Sequence, residues 1–318
     1  MKKIFNTIIE LFTLSLLFLT GCGSAPQSGS NALSVLASTS FLADIARNVA
    51  GERVEVKSLL PIGADAHAYQ PAPSDVAKIA ASNVLILNGI EYERFMESLI
   101  ENAGGERLVI VASDGLEARE MEEHAEEDDH ADEAEAGEGD EHEAGDPHMW
   151  LDPNLVITYV ENIRNGLIQA DPEGAEIYTS NAEAYITELR ALDAWIVEQV
   201  NSVPAERRLL VTNHESLGYF AERYGFEVVD TILPSFSSEA SASAQEIVSA
   251  VKSIKSSGAP AIFLGEVENA KLANQIAGET GVMVVDDLYF ESLTNGAPAA
   301  TYIDMMRHNV ARIADALK

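Results

Sequence analysis

Three histidines and a glutamate stand just beyond short β-branched runs: His67, His148, His214 and Glu291. In parallel α/β sheets ligands bind at the carboxyl ends of the strands, so residues in such places are the first to examine for chemistry. Three neutral imidazoles and one carboxylate make a four-coordinate nitrogen and oxygen site. That donor set suits zinc, and manganese and iron accept similar donors. A lone histidine is more often a hydrogen-bonded or surface residue, and His308, on an ordinary helix, is read that way. The distribution of the seven histidines argues differently for the rest, because three lie at strand ends and three more (His124, His130, His142) sit in one acidic segment. Asp286 and Asp287 adjoin the end of the last strand and compete with Glu291 for the fourth position.

The acidic segment runs over 117–147 and holds 16 of the 52 acidic residues with a single base, Arg119. It has almost no apolar content, so it is expected to be disordered without metal. A solvated linker is the plain alternative. The clustering in Glu122-Glu123-His124 and Asp128-Asp129-His130 favours a weak cation collector, with His124, His130 and His142 as its imidazole donors. The formal charge of the whole chain is −32, which argues against nucleic acid as a partner and for cations as ligands.

The elements that must position these residues can be read from periodicity. Near the start, Lys2 and Lys3 precede an apolar run from Ile8 to Leu19 that stops at Leu19-Thr20-Gly21-Cys22. This pattern is expected to be an export signal over 1–21, cleaved for lipid attachment at Cys22 and followed by a flexible tether over 22–31. The mature protein would then be extracytoplasmic and held to the membrane by that lipid. Cys22 is the one cysteine, so neither a disulfide framework nor a cysteine metal site is available.

Short β-branched runs then alternate with amphipathic stretches in both halves of the chain. Strands are expected at Leu33–Ala37, Val54–Leu60, Val84–Asn88 and Leu108–Val111, and again at Leu209–Thr212, Phe226–Asp230, Ala261–Leu264 and Val282–Val285. Helices are expected among them, including Tyr92–Glu101, Pro153–Ala170 and Tyr302–Leu317. The implied architecture is α/β, with two lobes of mostly parallel four-stranded sheets, at 32–170 and 204–318. A long helix over 171–203, capped by Asp171 and opened by Pro172, would join them rigidly. Ser74 and Asp152-Pro153 are expected to start helices, and Trp150 to pack between the lobes.

Four stretches carry a family resemblance. Pro61-Ile-Gly-Ala-Asp-Ala-His67-Ala-Tyr69-Gln-Pro71, Asp146-Pro-His148-Met-Trp150-Leu-Asp152-Pro153, Asn213-His214-Glu-Ser-Leu-Gly218-Tyr219-Phe220 and Thr301-Tyr302-Ile-Asp-Met-Met-Arg-His-Asn309 are similar to motifs of the metal-specific solute-binding proteins of ABC transporters. The resemblance implies two lobes joined by a rigid helix, a zinc or manganese ion bound between them, delivery to a membrane permease, and no catalysis. It also implies that a histidine at the third ligand position, here His214, marks the zinc branch, so Zn2+ is expected ahead of Mn2+. This chain departs from the pattern at the fourth position, where Glu291-Ser292-Leu293 stands in place of the usual aspartate before a Ser-Leu pair. Two other functions are weaker. A zinc hydrolase would need an open coordination position, which a fourth protein ligand closes, and no His-Glu-x-x-His pair is present. A surface adhesin is suggested only by relatives described in that way.

Overall fold

Each half of the chain folds its short apolar runs into one four-stranded sheet. The computed structural model describes residues 33–120 and 145–318, apart from 234, 239, 267 and 269. Cys22 and the three histidines of the acidic segment lie outside the described residues. In the first half, β1 (Val35–Ala37), β2 (Val56–Ser58), β3 (Val84–Leu87) and β4 (Leu108–Val111) form one sheet in the order β2-β1-β3-β4. In the second half, β5 (Leu209–Thr212), β6 (Glu227–Thr231), β7 (Ala261–Gly265) and β8 (Met283–Leu288) repeat that order as β6-β5-β7-β8. Every pairing is parallel. Parallel pairing demands a crossover between neighbours, and all the carboxyl ends of a sheet then face one way.

The crossovers are helical. They are α1 (Ser40–Ala50), α2 (Pro73–Ala80) and α3 (Phe95–Ala103) in the first sheet and α6 (Gly218–Tyr224), α7 (Ala244–Ser257) and α8 (Ala270–Thr280) in the second, while α4 (Pro153–Ala170) and α5 (Ala175–Asn201) connect the two sheets and α9 (Tyr302–Leu317) follows β8. Their starts follow local chemistry. Thr39 accepts from the Leu42 amide at α1, Asp152 from Asn154 at α4, Ser243 from Glu246 at α7, and Thr301 from Asp304 at α9.

Three local expectations change. The third helix begins at Phe95 rather than Tyr92, because Gly89, Ile90 and Glu91 take φ values of 95°, 52° and 54°. A left-handed turn of that kind cannot enter an α-helix, and it leaves Tyr92 on a loop. Ser74 does not cap α2; the Asp75 carboxylate accepts from the Ala72 amide at 2.9 Å instead. Asp171 does not cap the long helix. Its carboxylate accepts from Arg53 at 2.8 Å and from the Tyr178 hydroxyl at 2.6 Å, and α5 starts after a 3-10 turn at Pro172–Gly174.

At 27 residues, α5 is about 40 Å long. It buries Tyr178, Ala182, Tyr185, Ile186, Leu189, Leu192, Ile196 and Val200 against α1, α4 and α9, which come from both halves of the chain. Asp193 on its outer side accepts from Asn154 of α4 and from Arg223 and Tyr224 at the end of α6. One hydrophobic cluster runs through the first sheet, α5, Phe263, Phe290 and Tyr302, so the two sheets share a core. Trp150 lies at the junction. Its ring stacks on Phe41 with centroids 4.5 Å apart, its indole N–H donates to the Phe290 carbonyl at 2.6 Å, and its own carbonyl accepts from the Tyr302 hydroxyl at 2.7 Å. A smaller cluster around Val211, Ile254, Ile262 and Ile276 closes the far side of the second sheet.

Leu189 is fully buried in α5. Leu189→Ala is expected to remove about 2–5 kcal/mol of stability, as urea denaturation would measure. An unchanged midpoint would mean that α5 is not held by this packing.

Candidate metal centre

Each of the four strand-end residues reaches the same point by a different local route. His67 sits on the loop between β2 and α2, where the Asp65 carboxylate accepts from the amides of His67 at 2.8 Å and Ala68 at 3.4 Å. His148 precedes the 3-10 turn Met149–Leu151 that leads into Asp152 and α4. His214 follows β5 by one residue, and its carbonyl accepts from the Thr212 hydroxyl at 2.7 Å. Glu291 follows β8 on a loop whose backbone is gripped by Glu266. That one carboxylate accepts from the amides of Phe290 at 2.8 Å, Glu291 at 3.3 Å and Ser292 at 2.6 Å.

One potential donor atom from each of His67, His148, His214 and Glu291 lies within 4.8 Å of the others. His214 Nε2 is 3.3 Å from His148 Nε2 and 3.5 Å from Glu291 Oε1. The side chains of His148 and His214 are fully buried, and His67 Nε2 and Glu291 Oε1 are buried with no hydrogen-bond partner among the described residues. Buried polar atoms ordinarily have partners, so two orphaned donors aimed at two more imidazoles require an explanation, and a cation supplies it. The rival carboxylates are elsewhere. Asp286 is exposed on β8, and Asp287 binds Arg312 Nε at 2.9 Å. His308 is a partly buried hydrogen-bonding residue, its Nε2 lying 2.7 Å from the Asp287 carbonyl.

The second ring nitrogen of two histidines is tied to a carboxylate. His148 Nδ1 lies 2.8 Å from Asp146 Oδ1, and His214 Nδ1 lies 2.6 Å from Glu268 Oε1. A carboxylate at Nδ1 fixes the proton there and leaves Nε2 as a lone-pair donor aimed at the cluster. Sequence reading did not single out Glu266, Glu268, Asp146 or Tyr92. The strand-end rule applied to the third strand of the second half would have reached Glu266 and Glu268, which lie just past β7, and Asp146 opens the Asp146-Pro-His148 motif; for Tyr92 no comparable signal exists.

Burial sets the protonation of the site. Desolvation, reinforced by the neighbouring imidazoles, holds His67 and His148 well below the ordinary histidine range, so both are neutral donors. Desolvation also pushes Glu291 well above the ordinary carboxylate range, and Asp65, Glu266 and Glu268 add to the effect. Burial raises Asp146 and Glu266 to about 7.

A fold of two parallel sheets bridged by a long helix, with three imidazoles and a carboxylate converging where the sheets meet, defines a metal-binding protein of the two-lobed kind. A family model described as zinc-uptake complex component A, periplasmic, matches residues 35–316, and the chain belongs to that family. It is 34% identical over 315 residues to the manganese-binding lipoprotein MntA of Halalkalibacterium halodurans, covering 98% of this chain and 97% of that protein. Among solved structures, it superposes on a manganese-bound periplasmic metal-binding protein (an S38A variant) from Candidatus Liberibacter asiaticus with a TM-score of 0.77 and 28% identity, covering 90% and 100% of the two chains. The periplasmic zinc-binding protein TroA of Treponema pallidum gives a TM-score of 0.77 at 27% identity, covering 90% and 99%. The family consists of binding proteins rather than enzymes, and the names attached to its members include manganese, zinc and iron.

Because burial raises Glu291 and depresses His67 and His148, a cation entering this site competes with a proton at Glu291 more than at those imidazoles. Calorimetry in buffers of different ionisation enthalpy is expected to show proton release on metal binding that grows as pH falls, and Glu291→Gln is expected to diminish it. Release that survives unchanged in the variant would assign the proton to a group other than Glu291. Glu268→Gln, which disturbs the tether of His214, is expected to weaken metal binding about 10–100-fold with little change in melting temperature.

Proposed function

We propose that this protein captures one divalent transition-metal ion between its two α/β halves, through His67, His148, His214 and Glu291, and hands it to the membrane permease of an ABC transporter. The convergence of four buried donors within 4.8 Å carries the reading, since no other group of three or more such side chains is found among the described residues. Family membership supports the transport role. The named lipoprotein relative and the signal-like run before Leu19-Thr20-Gly21-Cys22 support an extracytoplasmic protein anchored by lipid at Cys22.

For the ion itself, zinc is the reading that the donor set favours. Zinc–nitrogen bonds of about 2.0–2.1 Å in a tetrahedron put donors roughly 3.4 Å apart, and the two separations around His214 Nε2 are 3.3 and 3.5 Å within a cluster that spans up to 4.8 Å. His214 itself, where manganese binders of the resembling family typically carry glutamate, points the same way. Manganese is the second reading, favoured by the manganese-binding relative that matches almost the whole chain. Intrinsic affinity at nitrogen and oxygen sites rises from manganese to zinc, so zinc is expected to bind more tightly in vitro whichever ion is carried in the cell.

Titration of metal-stripped protein tests the ligand set. Glu291→Ala is expected to cost about 1–3 kcal/mol of zinc affinity, the scale of losing a charged partner, and His214→Ala at least as much. Asp287→Ala is expected to leave binding unchanged. The reverse pattern, with Asp287 needed and Glu291 dispensable, would overturn the assignment.

A further inference from the structure

Glu291 is held from both sides in a way that leaves only one of its oxygens for an ion. Its Oε1 is buried, has no hydrogen-bond partner among the described residues, and lies 3.5 Å from His214 Nε2. Its Oε2 accepts a long hydrogen bond from the Tyr92 hydroxyl at 3.4 Å. The Glu266 carboxylate pins the amides of residues 290, 291 and 292, so the side-chain torsions of Glu291 decide which of its oxygens face the cluster.

Tyr92 is fixed just as closely. It is 2% exposed, its ring stands edge-on to His67 at 4.9 Å and 87°, and it packs on Trp150 at 4.7 Å. The left-handed turn at Gly89, Ile90 and Glu91 delivers it, with the Tyr92 amide donating to the Gly89 carbonyl at 3.2 Å. The Glu93 carboxylate ties down the other end of that turn by accepting from the amides of Asn88 at 2.7 Å and Gly89 at 3.3 Å. A side chain serving only to fill space could be phenylalanine. A hydroxyl here has one role available, which is to occupy Oε2.

We infer that Tyr92 is a specificity-determining positioning residue, which holds Glu291 as a one-oxygen ligand and thereby favours an ion content with four donors, such as zinc, over manganese, which prefers more. The inference rests on the proposed ligand set. A carboxylate freed at Oε2 can chelate through both oxygens, raising the coordination number from four to five and removing part of the discrimination. Manganese gains from the extra oxygen; zinc gains little.

The test compares the parent, Tyr92→Phe and Glu291→Ala as full-length, metal-stripped proteins, with Zn2+ and Mn2+ affinities from competition titration. Visible absorption of the Co2+-loaded forms reports coordination number, because four-coordinate cobalt absorbs more strongly than five-coordinate. Tyr92→Phe is expected to keep its melting temperature, to lower the zinc-to-manganese affinity ratio on the order of tenfold, the scale of losing an outer-sphere partner, and to weaken the cobalt band. A purely structural role would move the melting temperature and leave the ratio and the cobalt band alone. If only one of those two readouts moves, or neither, the inference is overturned. Glu291→Ala separates this failure from the other, because parent-like affinity in that variant would overturn the ligand set itself.

Discussion

Desolvation at the junction of the two sheets governs the rest of the molecule. Imidazole and carboxylate groups lose their hydration when they are enclosed, and an enclosed polar atom costs free energy unless something replaces the water. Here the replacement is divided. The atoms that face away from the cluster are satisfied by the protein: His148 by Asp146, His214 by Glu268, and the amides around Glu291 by Glu266. The atoms that face inward, His67 Nε2 and Glu291 Oε1, are not. The same burial makes His67 and His148 poor bases, keeping them available as neutral donors, and makes Glu291 hold its proton more strongly than an exposed glutamate.

Such an arrangement survives only if the two halves of the chain cannot drift apart. Two donors come from loops of the first sheet and two from loops of the second, so any slip between the sheets would pull the cluster open. The long helix α5 resists that by packing against helices from both halves, with Asp193 tying its outer side to α4 and α6. Trp150 acts at the centre, since it sits two residues from His148 while its indole holds the carbonyl next to Glu291. A ligand loop of one half is thus bonded directly to a ligand loop of the other. Ser292 extends this connection by accepting from the Gly63 amide at 2.7 Å, close to the loop of His67.

The two halves share one core, and the long helix packs against both. The Asp65 carboxylate, which organises the His67 loop, also accepts from the Ser238 hydroxyl of the second half. Phe236 and Ser237, on the same stretch, line a cavity of about 140 Å³ beside His67, Tyr92 and Arg94. That cavity lies against His67, whereas the side chains of His148 and His214 are fully buried.

Much of this was legible in the sequence, because it depends on patterns that repeat locally. Alternating branched runs and amphipathic stretches determine two parallel sheets, and parallel sheets put their carboxyl-end loops on one side, so His67, His148, His214 and Glu291 could be picked out before any contact was known. The signal-like run before Cys22 and the acidic, histidine-bearing segment were legible for the same reason. What only the tertiary structure decided concerns groups brought together across long separations. Asp286 and Asp287 matched Glu291 in chemistry and nearly in position. They are excluded from the cluster because β8 continues to Leu288, which leaves Asp286 in solvent and turns Asp287 toward Arg312 of α9. The carboxylates behind His148 and His214, the grip of Glu266 and the placement of Tyr92 likewise have no sequence period to reveal them. Each depends on where a loop ends after the sheets have packed, and a turn with positive φ at Ile90 and Glu91, in residues that rarely adopt it, is held by that packing rather than by local preference.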